Sequence, residues 1–180
     1  MNNMVKKILI LFLTLSSTVC FSQNIFSYSI EKMDGDTTSL SLLRGKKILF
    51  AGFSPVSPDV GLLQRLDSIY LQNKTKLEII AMPLTDFGEG MPDSSILNLL
   101  RRDLKLSFTI SKKLRGGKSS EANQHPVTRW LTTVLENGHF NTDITEVGQL
   151  FIIDEVGRLF GIFRKNAPMS IINKAILKQQ

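Results

Sequence analysis

Ile48 to Phe53 (ILFAGF) is a continuous apolar run, too short for a core helix and with no polar face, and this marks a strand buried on both sides. Such a strand needs a layer above it and a layer below it, so the rest of the chain must supply helices or loops to cover two faces. Leu77 to Met82 and Gln149 to Ile153 (QLFII) read as further buried strands. Between the first two, Val60 to Leu71 places Leu62, Leu63, Leu66, Ile69 and Tyr70 at helical spacing. A chain of 180 residues with 42% hydrophobic residues can close one such core.

The remaining segments complete an α/β order. Ile25 to Ile30 alternates apolar and polar residues ahead of the turn Asp34-Gly35-Asp36, which predicts a short hairpin or edge strand. Thr38 to Leu43 leads to a turn at Arg44-Gly45-Lys46. Ser54-Pro55-Val56-Ser57-Pro58 must be a loop, because each proline removes a donor and restrains its predecessor. Asp93 to Leu106 predicts a second helix, capped by Asp93 or Ser94, with Ile96, Leu97, Leu100 and Leu104 on its apolar side. Phe108 to Ile110 reads as a short strand, and Lys112 to Gln124 as a mobile loop. His125-Pro126 opens a third helix running to Leu135, ended by Glu136-Asn137-Gly138. Leu159 to Phe163 forms a hairpin with the strand before it, and Met169 to Leu177 a closing helix. The order predicts a thioredoxin-like α/β/α sandwich around a central mixed sheet.

Met1 to Ser22 has the grammar of a secretory signal: Lys6 and Lys7, then the apolar run Ile8 to Leu15, then small or neutral residues before a cut after Ser22. The run is far shorter than the roughly 20 residues needed to span a bilayer. Acylation of Cys20 is the rival reading, but Val19 before it is a poor approach to a lipidated cysteine, and we expect simple cleavage. The product is expected to be exported, periplasmic or extracellular, with residues 23–180 as one domain. Cys20 is the chain's one cysteine, so that domain has none.

Twenty-two basic and 16 acidic residues give a net charge of +6, and loss of Lys6 and Lys7 leaves +4. The excess gathers from Arg101-Arg102 to Arg115 with Lys118, and from Arg158 to Lys178. An acidic partner or membrane surface could use these stretches. Aromatics do not interleave with them, so we expect solvated surface and no nucleic-acid binding.

Several segments, in order, resemble the glutathione peroxidase family. Asp34-Gly35, Ser39-Leu40-Ser41 and Arg44-Gly45-Lys46-Lys47 resemble its opening hairpin, and Leu63-Gln64-Arg65-Leu66 its first helix. Met82-Pro83-Leu84-Thr85-Asp86-Phe87-Gly88 stands where the family has Phe-Pro-Cys-Asn-Gln-Phe-Gly. His125-Pro126-Val127-Thr128-Arg129-Trp130-Leu131 is similar to its His-Pro-Leu-Tyr-Lys-Trp-Leu, continued by Asn137-Gly138 and Thr142-Asp143-Ile144. Phe151-Ile152-Ile153-Asp154 with Gly157 resembles the following strand and turn.

The resemblance implies peroxide reduction by a cysteine or selenocysteine at the end of the first core strand, polarised by Gln, Trp and Asn. Carried over, the nucleophile position falls on Ser57 counting forward from Gly45, or on Ser54 counting back from Leu63-Gln64. The glutamine falls on Asp86, and the Trp-Asn pair on Glu146-Val147. A serine hydroxyl ionises far above neutral pH and does not cycle through a sulfenic-acid-like state. Two carboxylates would also disfavour a nearby thiolate. We therefore expect no catalytic residue among these degenerate positions and no cofactor. The expected role is non-catalytic binding of a protein or small molecule, by a monomer or weak homo-oligomer. Its contact surface would be the old concavity, within Ser54 to Asp59, Thr85 to Met91 and Asp143 to Val147.

Other candidates read as structural. His125 is expected to cap or pack the third helix, and His139 to be a solvated loop imidazole. Asp86 and Glu89, with Glu146, could bind a hard cation, but no regular calcium-loop spacing supports them. Trp130 reads as core, and Met82, Met91 and Met169 do not group as a copper site would require.

Overall fold

The computed structural model describes residues 23–178. The leader, with Cys20 and the expected cut after Ser22, lies outside the described residues. A five-stranded mixed sheet has the order β5-β4-β3-β6-β7. Its strands are β3 (Lys47–Phe53), β4 (Leu77–Pro83), β5 (Thr109–Ile110), β6 (Leu150–Ile153) and β7 (Leu159–Phe163). β3 runs parallel to β4 and antiparallel to β6, with Phe50 opposite both Ile80 and Phe151. All seven residues of β3 and of β4 are buried, including the charged Lys47 and Glu78 within otherwise apolar runs.

Alternation along the strands divides the core in two. Leu49, Ala51, Ile79 and Ile152 face α1 (Val60–Asn73), α2 (Asp93–Asn98) and α5 (Met169–Leu177) through Leu66, Ile96 and Ile172. Ile48, Phe50, Ile80 and Phe151 face the N-terminal segment and α3 (Pro126–Thr132) through Ile25, Ile30, Leu40 and Trp130. Layers on both faces make the expected α/β/α sandwich. Among the described residues no helix is long and apolar enough to cross a membrane.

The first element differs from the alternation. Ile25–Ser27 is a single tight turn capped by the Asn24 side chain, and only Ser29–Glu31 (β1) pairs, antiparallel to Thr37–Ser39 (β2). This hairpin covers the β5 edge of the sheet, through Met33 N–H to Ile110 O (3.0 Å) and Lys112 N–H to Glu31 O (2.8 Å).

Three boundaries depart from the sequence reading. The second helix stops before Leu106: after Asn98 it widens into one π turn, Leu99–Asp103, and Lys105 takes a left-handed φ of 54°. The Ser107 amide beyond it is drawn to the buried Asp67 carboxylate (2.6 Å). The helix begins behind Pro92, without a side-chain cap from Asp93 or Ser94. The third helix breaks at Thr133 (φ −112°, ψ 116°) and resumes as α4 (Val134–Asn137). Thr132 bonds back to the Thr128 and Arg129 carbonyls while accepting from Gln124, and a β-branched Thr-Thr-Val run follows badly in a helix.

Buried polar groups pin the ends of elements. Lys47, 2% exposed, sends its ammonium to the carbonyls of Ala175 (3.2 Å), Ile176 (3.1 Å) and Lys178, the C-terminal end of α5. Asp154 turns the β6–β7 hairpin by accepting the Val156 and Arg158 amides (3.1 and 2.8 Å).

Candidate functional site

The C-terminal ends of β3 and β4 carry the positions singled out by sequence. β3 ends at Phe53, and Ser54 follows directly, 6% exposed. Its hydroxyl donates to the Phe87 carbonyl (3.1 Å) and accepts the amides of Val56 (3.2 Å) and Ser57 (3.3 Å). One donor and both acceptor directions of that oxygen are thus used within the loop. Ser57 is exposed, two residues before Asp59, whose carboxylate caps α1 at the Leu62 amide (3.0 Å).

Two glycines bring the facing loop onto this one. Gly88 has φ +107°, and a Cβ there would lie 2.5 Å from the Val56 side chain. Gly90 has φ +65°, and a Cβ would lie 2.5 Å from the Pro55 carbonyl. Neither conformation nor space admits a side chain. Pro55 and Val56 therefore pack on the backbone of residues 88–90. The two loops of the expected contact surface therefore touch directly at this point. Pro55 is buried, while Val56 (58% exposed), Val60 (37%) and Met91 (36%) present an apolar rim. The Gly-Glu-Gly spacing of residues 88–90 was the sequence signal for this close approach, and sequence reasoning passed over it.

Asp86 stands on the tight turn Thr85–Phe87, but its carboxylate is committed elsewhere. It accepts the amides of Gly116 (2.6 Å) and Gly117 (3.0 Å) and the Ser120 hydroxyl (3.1 Å). Partial burial alone would raise its pKa, but these donors outweigh it and hold the carboxyl below the usual value of 3.8. The same bonds correct the expectation of a mobile loop at Lys112 to Gln124. Asp143 adds a second tie, accepting the Lys118 amide (2.8 Å), and Gln124 is buried with its amide on Gly116 O (2.7 Å).

A carboxyl whose folded pKa is depressed contributes stability that is present above its unfolded pKa and is lost as pH falls through the folded one. Acidification below about pH 4 is therefore expected to loosen the Gly116–Ser120 segment. Asp86→Asn should flatten this part of the acid dependence in urea melts. An unchanged acid profile in that variant would remove Asp86 from the account.

Glu146 and Val147 lie on the loop from Asp143 to Gly148, held at its base by the Gly148 and Gly52 amides to Gly52 O and Gln149 O (2.8 and 3.1 Å). The buried Gln149 braces it, accepting the Thr145 amide and donating to Asp143 O. One Glu146 carboxylate oxygen, Oε1, is buried without a hydrogen-bond partner. Asp86 therefore faces the Gly116 loop, and Glu146 sits on a separate loop. No three His, Cys, Asp or Glu side chains among the described residues gather closely enough to hold a metal ion. Met82 and Met169 pack in cores on opposite faces of the sheet.

His125 takes its expected place: its Nδ1 accepts the Val127 amide (3.2 Å) at the start of α3, and burial holds its pKa below the ordinary 6.5. His139 is exposed, beside Phe140. Trp130 is 1% exposed in the core, its indole N–H on the Gln23 carbonyl.

Solved structures of similar architecture share the fold at low sequence identity. Trgpx in its apo form superposes with a TM-score of 0.66, at 16% identity over 87% of this chain and 94% of that one. GPX1 of T. cruzi gives 0.63 at 17% identity, over 86% and 95%. A thiol:disulfide interchange protein of the thioredoxin family from Chlorobium tepidum gives 0.58 at 13%, over 86% and 94%. No family model and no curated protein matches the sequence. The chain has the glutathione-peroxidase-like form of the thioredoxin fold.

Proposed function

We propose that this is an exported, non-catalytic binding protein built on a glutathione-peroxidase scaffold whose peroxidatic site has been dismantled. The observation that carries the reading is the state of the Ser54 loop. The strand end that would present a thiolate carries a buried serine whose hydroxyl is spent on Phe87, Val56 and Ser57. Pro55 and Val56 pack against Gly90 and Gly88, closing the two loops on each other beside that strand end. Residues 23–180 contain no cysteine, so no thiolate can attack peroxide or be regenerated through a sulfenic acid. Asp86, at the glutamine position, holds a loop rather than a reaction centre.

Contact with a partner falls to the surface around this end of the sheet, where Val56 and Met91 on the loops and Val60 at the start of α1 are exposed. A rigid apolar rim loses little entropy on binding, which suits it to recognition.

The exported protein, incubated with hydrogen peroxide or a lipid hydroperoxide and either glutathione or thioredoxin, should consume reductant no faster than buffer. Its mass should place the N-terminus at Gln23. Turnover above the blank that disappears in Ser54→Ala or Ser57→Ala would replace this reading with a residual peroxidase using an oxygen nucleophile. A lipidated Cys20 in the mature mass would replace cleavage with membrane tethering.

A further inference from the structure

The basic stretch around Arg115 does not stay a simple solvated face. The fold sets Lys113 and Arg115 opposite His125 and Arg129 of α3, across a groove of 810 Å³ that begins at Thr85 and Glu89, beside the Ser54 loop. The lining carries three cations and one carboxylate, Glu89.

These groups differ in how far they are committed. Lys113 braces the wall: its ammonium reaches the Glu89 and Met91 carbonyls (3.3 Å each) and the Asp93 carboxylate (3.5 Å). Arg129 is partly neutralised by Glu136 (2.6 Å). Arg115 is exposed, and among the described residues its guanidinium has no carboxylate partner. Its backbone is nevertheless fixed, because its carbonyl accepts both the His125 amide (3.0 Å) and the Thr128 hydroxyl (2.9 Å). With Nδ1 taken by Val127, the neutral His125 ring carries its hydrogen on Nε2. The Asp86 carboxylate is turned into the Gly116–Ser120 segment.

The far rim is held with some strain. Glu121 has φ +45° and ψ −119°, a conformation natural to glycine, within the segment tied down by Asp86 and Asp143. A concave, donor-rich wall with a fixed and uncommitted arginine is matched in charge by carboxylates presented on an extended chain.

We propose that this groove docks an acidic segment of a partner protein, with Arg115 as the principal contact and Glu89 as an opposing charge that limits its affinity. The inference rests on the binding-protein reading above, for which it names the partner's chemistry.

Fluorescence anisotropy with a labelled peptide alternating Glu and Ala tests it on the exported protein. Saturable binding that weakens with added salt is expected. Arg115→Glu should weaken it about tenfold or more, and Glu89→Gln should tighten it, both with unchanged circular dichroism and melting. Absence of saturation with the wild-type protein, equal binding of a peptide alternating Lys and Ala, or an Arg115→Glu variant that binds as tightly as wild type would each overturn the proposal. Its failure is distinguishable from that of the reading it rests on. Peroxide turnover would remove the non-catalytic role whatever the peptide does, whereas silence in both assays would remove only the acidic partner.

Discussion

Lys47→Met is expected to destabilise the domain by about 3 kcal/mol, which for a domain of this size is a fall of roughly 6–12 °C in melting temperature. Methionine keeps the apolar stem of the side chain, so the loss isolates the ammonium. That group lies 3% exposed, on the last carbonyls of α5, with Glu155 3.8 Å away and the Phe160 ring 5.6 Å from it. A cation at a helix C-terminus offsets the negative end of the helix dipole and satisfies carbonyls that have no partner inside the helix. Without it, the buried Ile176 carbonyl loses its partner, at a cost of about 1–3 kcal/mol in desolvation, and the half-buried Ala175 carbonyl adds a smaller loss. Urea melts measure the difference. A loss below about 1 kcal/mol would mean that desolvation of the ammonium already cancels its hydrogen bonds, as can happen for buried charges.

Asn137→Ala should cost a similar amount, about 3 kcal/mol. Asn137 is 2% exposed and makes four hydrogen bonds. Its amide donates to the carbonyls of Trp130 and Phe140 (2.9 Å each), and its oxygen accepts the amides of His139 and Phe140 (2.7 Å each). One side chain therefore closes the turn after α4, with Gly138 at φ +75° and a tie back to the core helix carrying Trp130. Alanine leaves all four backbone groups to find water in a loop packed against the core. Asn137→Asp separates the contributions: it keeps the accepted amides but sets a carboxylate against two carbonyls, so it should lose stability as well. A melt for either variant superimposable on the wild type would show that water replaces the side chain without cost.

Both residues lie in segments whose identity was readable while their work was not. Asn137-Gly138 announces a turn, and the resemblance to the glutathione peroxidase pattern placed it after the third helix. Nothing local says that the amide reaches back to Trp130. Lys47 is the second of two lysines before a buried strand, and only the arrival of α5, more than a hundred residues later, makes it a buried cap. The same limit explains the site. Residues 54–59 and 85–91 were recognised as the loops flanking the nucleophile position, but their mutual packing depends on Gly88 and Gly90 meeting Val56 and Pro55 across the two strands. Asp86 was placed by sequence at the degenerate glutamine position, and its carboxylate satisfies the Gly116–Ser120 segment, because two amides and a hydroxyl there need an acceptor. The third helix, read as continuous, breaks at Thr133, just after the buried Thr132 hydroxyl takes its bond from Gln124 outside the helix.

By itself the sequence determined the layer order, the buried strands and the lack of any thiol in residues 23–180. Those properties are written in local periodicity and residue chemistry, which do not depend on distant neighbours. Tertiary structure alone decided that Pro55 and Val56 meet the backbone of residues 88–90, that Asp86 bonds to the Gly116–Ser120 segment, and that Arg115 and Arg129 share a groove. Each of those outcomes is a competition among distant hydrogen-bond donors, acceptors and van der Waals surfaces for the same few ångströms, and only the folded chain brings the competitors together.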